Sequence, residues 1–149
     1  MSTRVVLRNG THIRSTAQGY PRTDNIVGTM QGGEIFTSRG NVEEGQNSWI
    51  VGVWDRTTTA APHRWVNRNR NGVTNTISAT ADQRTRRVGI GAAARLGPGI
   101  GYGTNGRVDA NQNVVTTHRA TSHRDFDSGS TRRWMRIGAR RWILDAILA

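Results

Sequence analysis

The chain has 149 residues, 34% of them hydrophobic and 6% aromatic, and 21 basic side chains against 10 acidic ones give a formal charge of +11. That length allows one ordinary domain or two very small ones, and a unit of about 60 residues only just buries a workable core. With no cysteine, a disulfide framework, a thiol nucleophile and a cysteine-ligated zinc or iron–sulfur site are excluded.

Every basic residue is arginine. Such a balance favours a polyanion or an anionic surface, although arginine also serves protein interfaces through its bidentate fork. The first residues, MSTRVVLRNG, carry charge but no apolar core segment, and nowhere do 18 apolar residues run together, so neither a secretory leader nor a membrane span is expected. Eighteen glycines, many Thr and Asn residues and no long 3.6-period apolar stretch predict an all-β chain of short strands. The five tryptophans, Trp49, Trp54, Trp65, Trp134 and Trp142, are its expected pillars.

In chain order, Thr3 to Leu7 alternates as a strand and Asn9-Gly10 is a type I′ hairpin signal. His12 to Ser15, Asn25 to Met30, Glu34 to Thr37, Trp49 to Trp54 and Arg64 to Asn67 read as further strands, with a polar turn from Arg39 to Gln46. Short strands joined by turns suit a small barrel, whose closure removes exposed edges. Residues 68–87 shift to Asn, Thr, Arg and Ala and read as a linker holding one strand, Gly72 to Ile77.

The second half, 88–149, repeats the first, 1–67. Ala94-Arg95-Leu96 answers Ile13-Arg14-Ser15, Gly101-Tyr102 answers Gly19-Tyr20, and Gly106-Arg107-Val108 answers Val27-Gly28-Thr29. Trp134 then answers Trp49, and Trp142-Ile143 answers Trp65-Val66. The offsets, 81 for the arginines, 85 and 77 for the tryptophans, are close enough to indicate an internal duplication.

These residues resemble the bacterial SH3-like (SH3b) domain family. The second repeat supplies Ala94-Arg95-Leu96-Gly97-Pro98-Gly99 with Tyr102, Trp134 and the closing Trp142-Ile143; the first supplies Ile13-Arg14-Ser15, Tyr20, Ile26 to Gly33, Ser48-Trp49 and Trp65-Val66. The first repeat has Thr16-Ala17-Gln18 where the family carries Gly-Pro-Gly, and inserts Asp55 to His63. The resemblance implies two small SH3-like β-barrels in tandem, and binding rather than catalysis. The implied partners are bacterial peptidoglycan or the protein lattice of a virion, with an oligomeric or assembled state. A phage product released by lysis needs no leader, so the implied location is the virion or cell exterior, and otherwise the cytoplasm. The alternative is a basic barrel that binds nucleic acid.

Candidate chemistry is sparse, and no cofactor is called for. His118, His123, Asp125 and Asp127 lie in a polar stretch from Thr116 to Thr131, but their spacing matches no metal pattern and reads as a solvated loop. Gly97 to Gly101 lacks the following Gly-Lys-Ser/Thr of a phosphate loop and is a turn. Glu43-Glu44 reads as a solvated turn tip, and no nucleophile elbow occurs. Tyr20, Trp54 and Tyr102 are the aromatics placed to contact a ligand. Arginines interleave with tryptophan at Arg64, Arg68, Arg70, Arg132, Arg133, Arg136, Arg140 and Arg141, and alternation predicts a basic stripe with the tryptophans turned inward. The apolar run from Trp142 to Leu148 predicts a closing strand or short helix.

Overall fold

A computed structural model describes residues 2–16, 18–19, 21–43, 47–54, 64–70 and 73–149, with backbone alone for 2, 39–43, 47–54 and 70. The described residues form an all-β chain of curled antiparallel sheets, with a half-barrel and no α-helix. It divides into two compact units, Met1–Ile77 and Ser78–Ala149.

The first unit holds β1 (Ser2–Val6), β2 (Thr11–Arg14), β3 (Ile26–Met30), β4 (Ile35–Glu43), β5 (Asn47–Trp54), β6 (Trp65–Arg70) and β7 (Val73–Thr74). Their lateral order is β1-β4-β5-β6-β2-β3, with β7 on β6. The second unit takes most of β8 (Thr76–Arg87), then β9 (Ala92–Arg95), β10 (Thr104–Val108), β11 (Asn113–Thr121), β12 (Arg133–Gly138) and β13 (Arg141–Leu144). Two single-turn 3-10 helices, Arg124–Phe126 and Asp145–Ile147, complete it. Its order is β8-β11-β12-β13-β9-β10, the order of the first unit with each strand advanced by seven.

The duplication reaches single hydrogen bonds. The β3–β4 turn has Val6 N–H on Glu34 O at 2.9 Å and Gly33 N–H on Val6 O at 2.8 Å; the β10–β11 turn has Val88 N–H on Gln112 O at 2.8 Å and Asn111 N–H on Val88 O at 2.7 Å. In both, the last turn residue folds its side chain back onto the first, Glu34 Oε1 on Gln31 N–H at 3.2 Å and Gln112 Oε1 on Asp109 N–H at 2.9 Å. Arg14 pairs with Trp65 and Arg95 with Trp142 across equivalent strands. In the second unit the chain end returns to the first strand, where Leu148 bridges Val88, which curls the sheet.

Each unit encloses its own core: Val6, Ile13, Met30, Phe36 and Val66 in the first, and Val88, Ala94, Val108, Val114, Met135, Ile143 and Ile147 in the second. By strand register, the first five correspond in turn to Val88, Ala94, Val108, Val114 and Ile143. The places are kept and the sizes traded. Ala94 and Val114 leave room where Ile13 and Phe36 filled it, and Met135, Ile143 and Ile147 supply volume from the other side, as close packing requires.

Several elements differ from the sequence reading. The 68–87 segment is strand over most of its length, in β6, β7 and β8, because β8 lies along β11 from Thr80 to Arg87. The Asn9-Gly10 turn forms, with Gly10 at φ +71°, but β1 and β2 are not neighbours: Asn9 Oδ1 accepts from Gly32 N–H at 2.9 Å and ties the turn to the β3–β4 connection. The polar stretch after Arg39 continues β4 to Glu43, which pairs with Trp49, while Glu44 lies outside the described residues.

Ile143 is fully buried at the centre of the second core. Ile143→Ala is expected to lower unfolding stability by about 2–5 kcal/mol in urea titrations followed by tryptophan fluorescence. Val115→Ala, at a position 52% exposed, should change it by no more than about 0.5 kcal/mol.

Candidate functional site

The most structured surface feature of the second unit is built where the β9–β10 loop meets the β11–β12 loop. The first loop runs Leu96-Gly97-Pro98-Gly99-Ile100-Gly101-Tyr102-Gly103, and the second carries Ser122, His123, Phe126, Asp127 and Arg132. Leu96 N–H closes the first loop on Gly103 O at 2.9 Å. Its glycines are there for space: a Cβ on Gly99 would stand 2.1 Å from the Phe126 carbonyl oxygen, and one on Gly97 would stand 2.7 Å from the Tyr102 ring. Gly101 N–H donates to that same Phe126 carbonyl at 2.9 Å.

Asp127 holds the two loops together. Its side chain is fully buried, and its two oxygens accept from Ser122 Oγ at 2.7 Å, Trp134 Nε1 at 3.0 Å, Ile100 N–H at 3.1 Å, and Arg132 through Nε at 3.1 Å and a terminal nitrogen at 2.5 Å. Burial by itself would raise its pKa. The donors from Arg132, Ser122, Trp134 and Ile100 outweigh that and hold the carboxyl well below the usual carboxylate range. The hydrogen bond to Asp127 in turn raises the Arg132 pKa, and the guanidinium also lies 5.9 Å from the Trp134 ring centroid.

Around this anchor stands an aromatic platform. Tyr102 and Phe126 stack with centroids 5.2 Å apart and planes at 15°, and His123 meets Phe126 edge-on at 6.3 Å. All three are half-buried, and Ile100 beside them is 41% exposed. His123 Nδ1 caps the short 3-10 turn by accepting from Asp125 N–H at 3.2 Å. The platform offers planar and apolar contact with polar groups at its margin.

The corresponding β2–β3 loop of the first unit is organised from within. Arg14, 5% exposed, donates to Asn25 Oδ1 at 2.7 Å and to Arg22 O at 2.6 Å. Asn25 donates in turn to Thr16 Oγ1 at 2.9 Å and Gln18 O at 2.7 Å.

Of the aromatics selected from sequence, Tyr102 is in the platform, Tyr20 lies outside the described residues, and Trp54 is the last residue of β5, pairing with Phe36, its side chain outside the description. Trp134 and Trp142 are buried and Trp65 is half-buried. The arginines of the expected basic stripe have different surroundings. Arg132 is bound to Asp127, Arg136 donates to Thr117 Oγ1 at 3.1 Å, and Arg141 donates to the carbonyls of Asn105 and Arg107 at 3.2 and 3.0 Å. Arg140 sits in the β12–β13 turn at φ +48°. Arg133 and Arg68 are exposed, Arg64 is half-buried, and the Arg70 side chain is outside the description.

Strand alternation fails at Trp134 and Met135, which are both buried. Met135 enters the core, and the Ser122–Arg132 loop covers the opposite face over Trp134. His118 belongs to β11, opposite Arg136, and no group of three metal-ligating side chains occurs among the described residues. Asp127, read from sequence as solvated, is the buried centre of the site. Its signal lay in its neighbours, Ser122, Arg132 and Trp134, which supply the donors a buried carboxylate requires.

No protein-family model matches the chain, and no curated protein is significantly similar to it.

Two substitutions test the anchor. Asp127→Asn should cost about 3 kcal/mol, since it leaves Arg132 and Trp134 facing a group that cannot accept from all of them. Because the folded pKa is depressed, the carboxylate contributes fully above the unfolded value of about 3.9, and that contribution is lost as pH falls below it. Acid titration of thermal stability should therefore be shallower for Asp127→Asn than for wild type. Gly99→Ala should cost about 3 kcal/mol in denaturant titrations, because the obstacle is backbone and cannot rotate away.

Proposed function

We propose that the protein is a non-catalytic binding protein of two SH3-like barrels in tandem, docking on a repetitive surface: bacterial cell wall or the protein lattice of a virion. The observation that carries this reading is the duplication, in which two units with one strand order and one set of core positions lie on a single chain. Two like modules on one chain gain from a surface that repeats its ligand, because the second contact forms at high effective concentration. Tyr102 is the proposed contact residue of the second unit, with Tyr20 and Trp54 proposed for the first.

The formal charge of +11 supports a second reading, a basic barrel protein on nucleic acid, to which the exposed Arg68, Arg107, Arg124 and Arg133 would contribute. Salt separates the two. Phosphate-driven binding falls steeply and linearly in log K against log salt, whereas platform contacts do not.

The test is co-sedimentation of the purified chain with peptidoglycan sacculi and with intact virions, alongside titration of a fluorescent oligonucleotide over the same salt series. Retention on one of the surfaces at about 0.15 M salt is expected, weakened about tenfold by Tyr102→Ala. Absence from both pellets, with a steep salt slope on the oligonucleotide, would replace the first reading by the second.

A further inference from the structure

The duplication allows the charged residues at the end of each core to be compared position by position. In the first unit Arg4 lies two residues before the core residue Val6 and pairs with Phe36; in the second, Arg86 lies two residues before Val88 and pairs with Val114. Val6 corresponds to Val88 and Phe36 to Val114, so Arg4 and Arg86 hold one place. Further along the chain, Arg68 lies two residues after Val66, and Asp145 lies two residues after Ile143, the counterpart of Val66. Both units then close by the same bond, Leu7 N–H on Asn75 O at 2.9 Å and Gly89 N–H on Ile147 O at 2.7 Å.

The charges at these matched places differ. In the second unit Arg86 is bound to Asp145 at 2.6 Å. Where Asp145 stands, the first unit has Arg68, so two cations take the place of an ion pair. Arg4 is half-buried and fixed: its Nε donates to the Thr76 hydroxyl at 2.8 Å and its Nη2 to the Thr76 carbonyl at 3.0 Å, and Thr76 is itself buried. Arg68 is the extra residue of a β-bulge, since Trp49 pairs with Asn67 and Ser48 with Asn69, and such a bulge re-aims a side chain. Its carbonyl accepts from Asn75 N–H at 3.0 Å, beside Thr76, while its exposed guanidinium has no partner among the described residues. Burial and then the charge of Arg68 lower the Arg4 pKa, whereas hydrogen bonds to aspartates raise those of Arg22, Arg84 and Arg132. Two like charges held together repel unless an anion joins them.

We propose that Arg4 and Arg68 bind an oxyanion, a carboxylate or phosphate group, in the place that the Asp145 carboxylate takes against Arg86 in the second unit. Thr76 holds Arg4 in position before the anion arrives, and Arg68 adds a fork that suits either group. The ligand supplies to the first unit the negative charge that the second carries in its own chain. The inference does not depend on what surface the protein docks to.

The arginine Nε–H resonances of the isotope-labelled full chain test it, titrated with sodium phosphate and separately with sodium acetate at an ionic strength held constant with sodium chloride. The Arg4 and Arg68 signals should move together along one saturating curve. Saturation by phosphate alone assigns a phosphate group, by acetate alone a carboxylate, and by both the chemistry they share. Arg68→Gln should weaken binding about tenfold or more. Arg68→Asp, which copies the pair of the second unit, should abolish the Arg4 response. Arg133→Gln, at an exposed position on β12, should leave the affinity unchanged. Thermal unfolding checks that each variant is folded, and Arg68→Gln decides the matter if Arg68→Asp is not. Saturation by neither anion, equal movement of every exposed arginine, or an affinity indifferent to substitution of Arg68 would overturn the proposal.

Discussion

The Asp127 carboxylate is a charge placed where water cannot reach it, and the second unit is arranged to make that tolerable. An isolated buried carboxylate would take up a proton or pull its loop outward. Donors from Ser122, Arg132, Trp134 and Ile100 converge on it instead, and they come from two loops and a strand. To bring Ile100 N–H within reach, the β9–β10 loop must lie against the Phe126 carbonyl, and only a residue without Cβ fits at Gly99. The Tyr102–Phe126 stack follows from that approach, so one buried charge shapes the half-buried aromatic platform.

The first unit meets the same need by another route. Its β2–β3 loop lies between equivalent strands, but the buried groups that shape it, Arg14 and Asn25, belong to the strand end and to the loop itself. Arg95, the counterpart of Arg14, donates to its own loop's Tyr102 carbonyl at 3.3 Å. In the second unit the shaping group, Asp127, lies in the neighbouring loop, and the β9–β10 loop is short and rich in glycine. Shared framework with separately solved loops is what two copies of one fold come to have when cores are constrained by packing and loops by local hydrogen bonding.

Much of this framework was legible in the sequence because tryptophans and arginines make good landmarks. Arg14 and Arg95, and Trp65 and Trp142, do hold equivalent places across the same strand pair. The match at Gly106-Arg107-Val108 was one residue out: register sets Gly106 against Gly28 and Val108 against Met30, since the irregularity at Val27 and Asn105 is invisible to a comparison of residue types. The 68–87 stretch looked like a linker because β8 has few large apolar residues. It is a strand because β11 supplies its hydrogen bonds and because Asp82, bound by Arg84 at 2.6 Å and Arg119 at 3.3 Å, holds polar side chains along it. Asp127 was missed because burial of a polar loop residue depends on partners that only folding assembles.

The arginine content also takes on a different meaning once those partners are known. A planar fork with donors on separate nitrogens at fixed spacing can span two carbonyls or meet a carboxylate with two parallel hydrogen bonds, whereas the donors of a lysine ammonium all radiate from one nitrogen. Arg141 spans the carbonyls of Asn105 and Arg107, Arg132 takes both oxygens of Asp127, and Arg4 holds the Thr76 hydroxyl at 2.8 Å and carbonyl at 3.0 Å. In units with small apolar cores these side chains act as cross-struts between strands, and their charge accompanies that role. Among the described residues Arg8, Arg22, Arg68, Arg84, Arg87, Arg107, Arg124 and Arg133 are exposed, Arg22 and Arg84 of them paired with Asp24 and Asp82. They lie on several strands and loops, whereas the contacts centred on Asp127 build one continuous aromatic face, and that contrast is why the platform, not the charge, carries the proposed recognition.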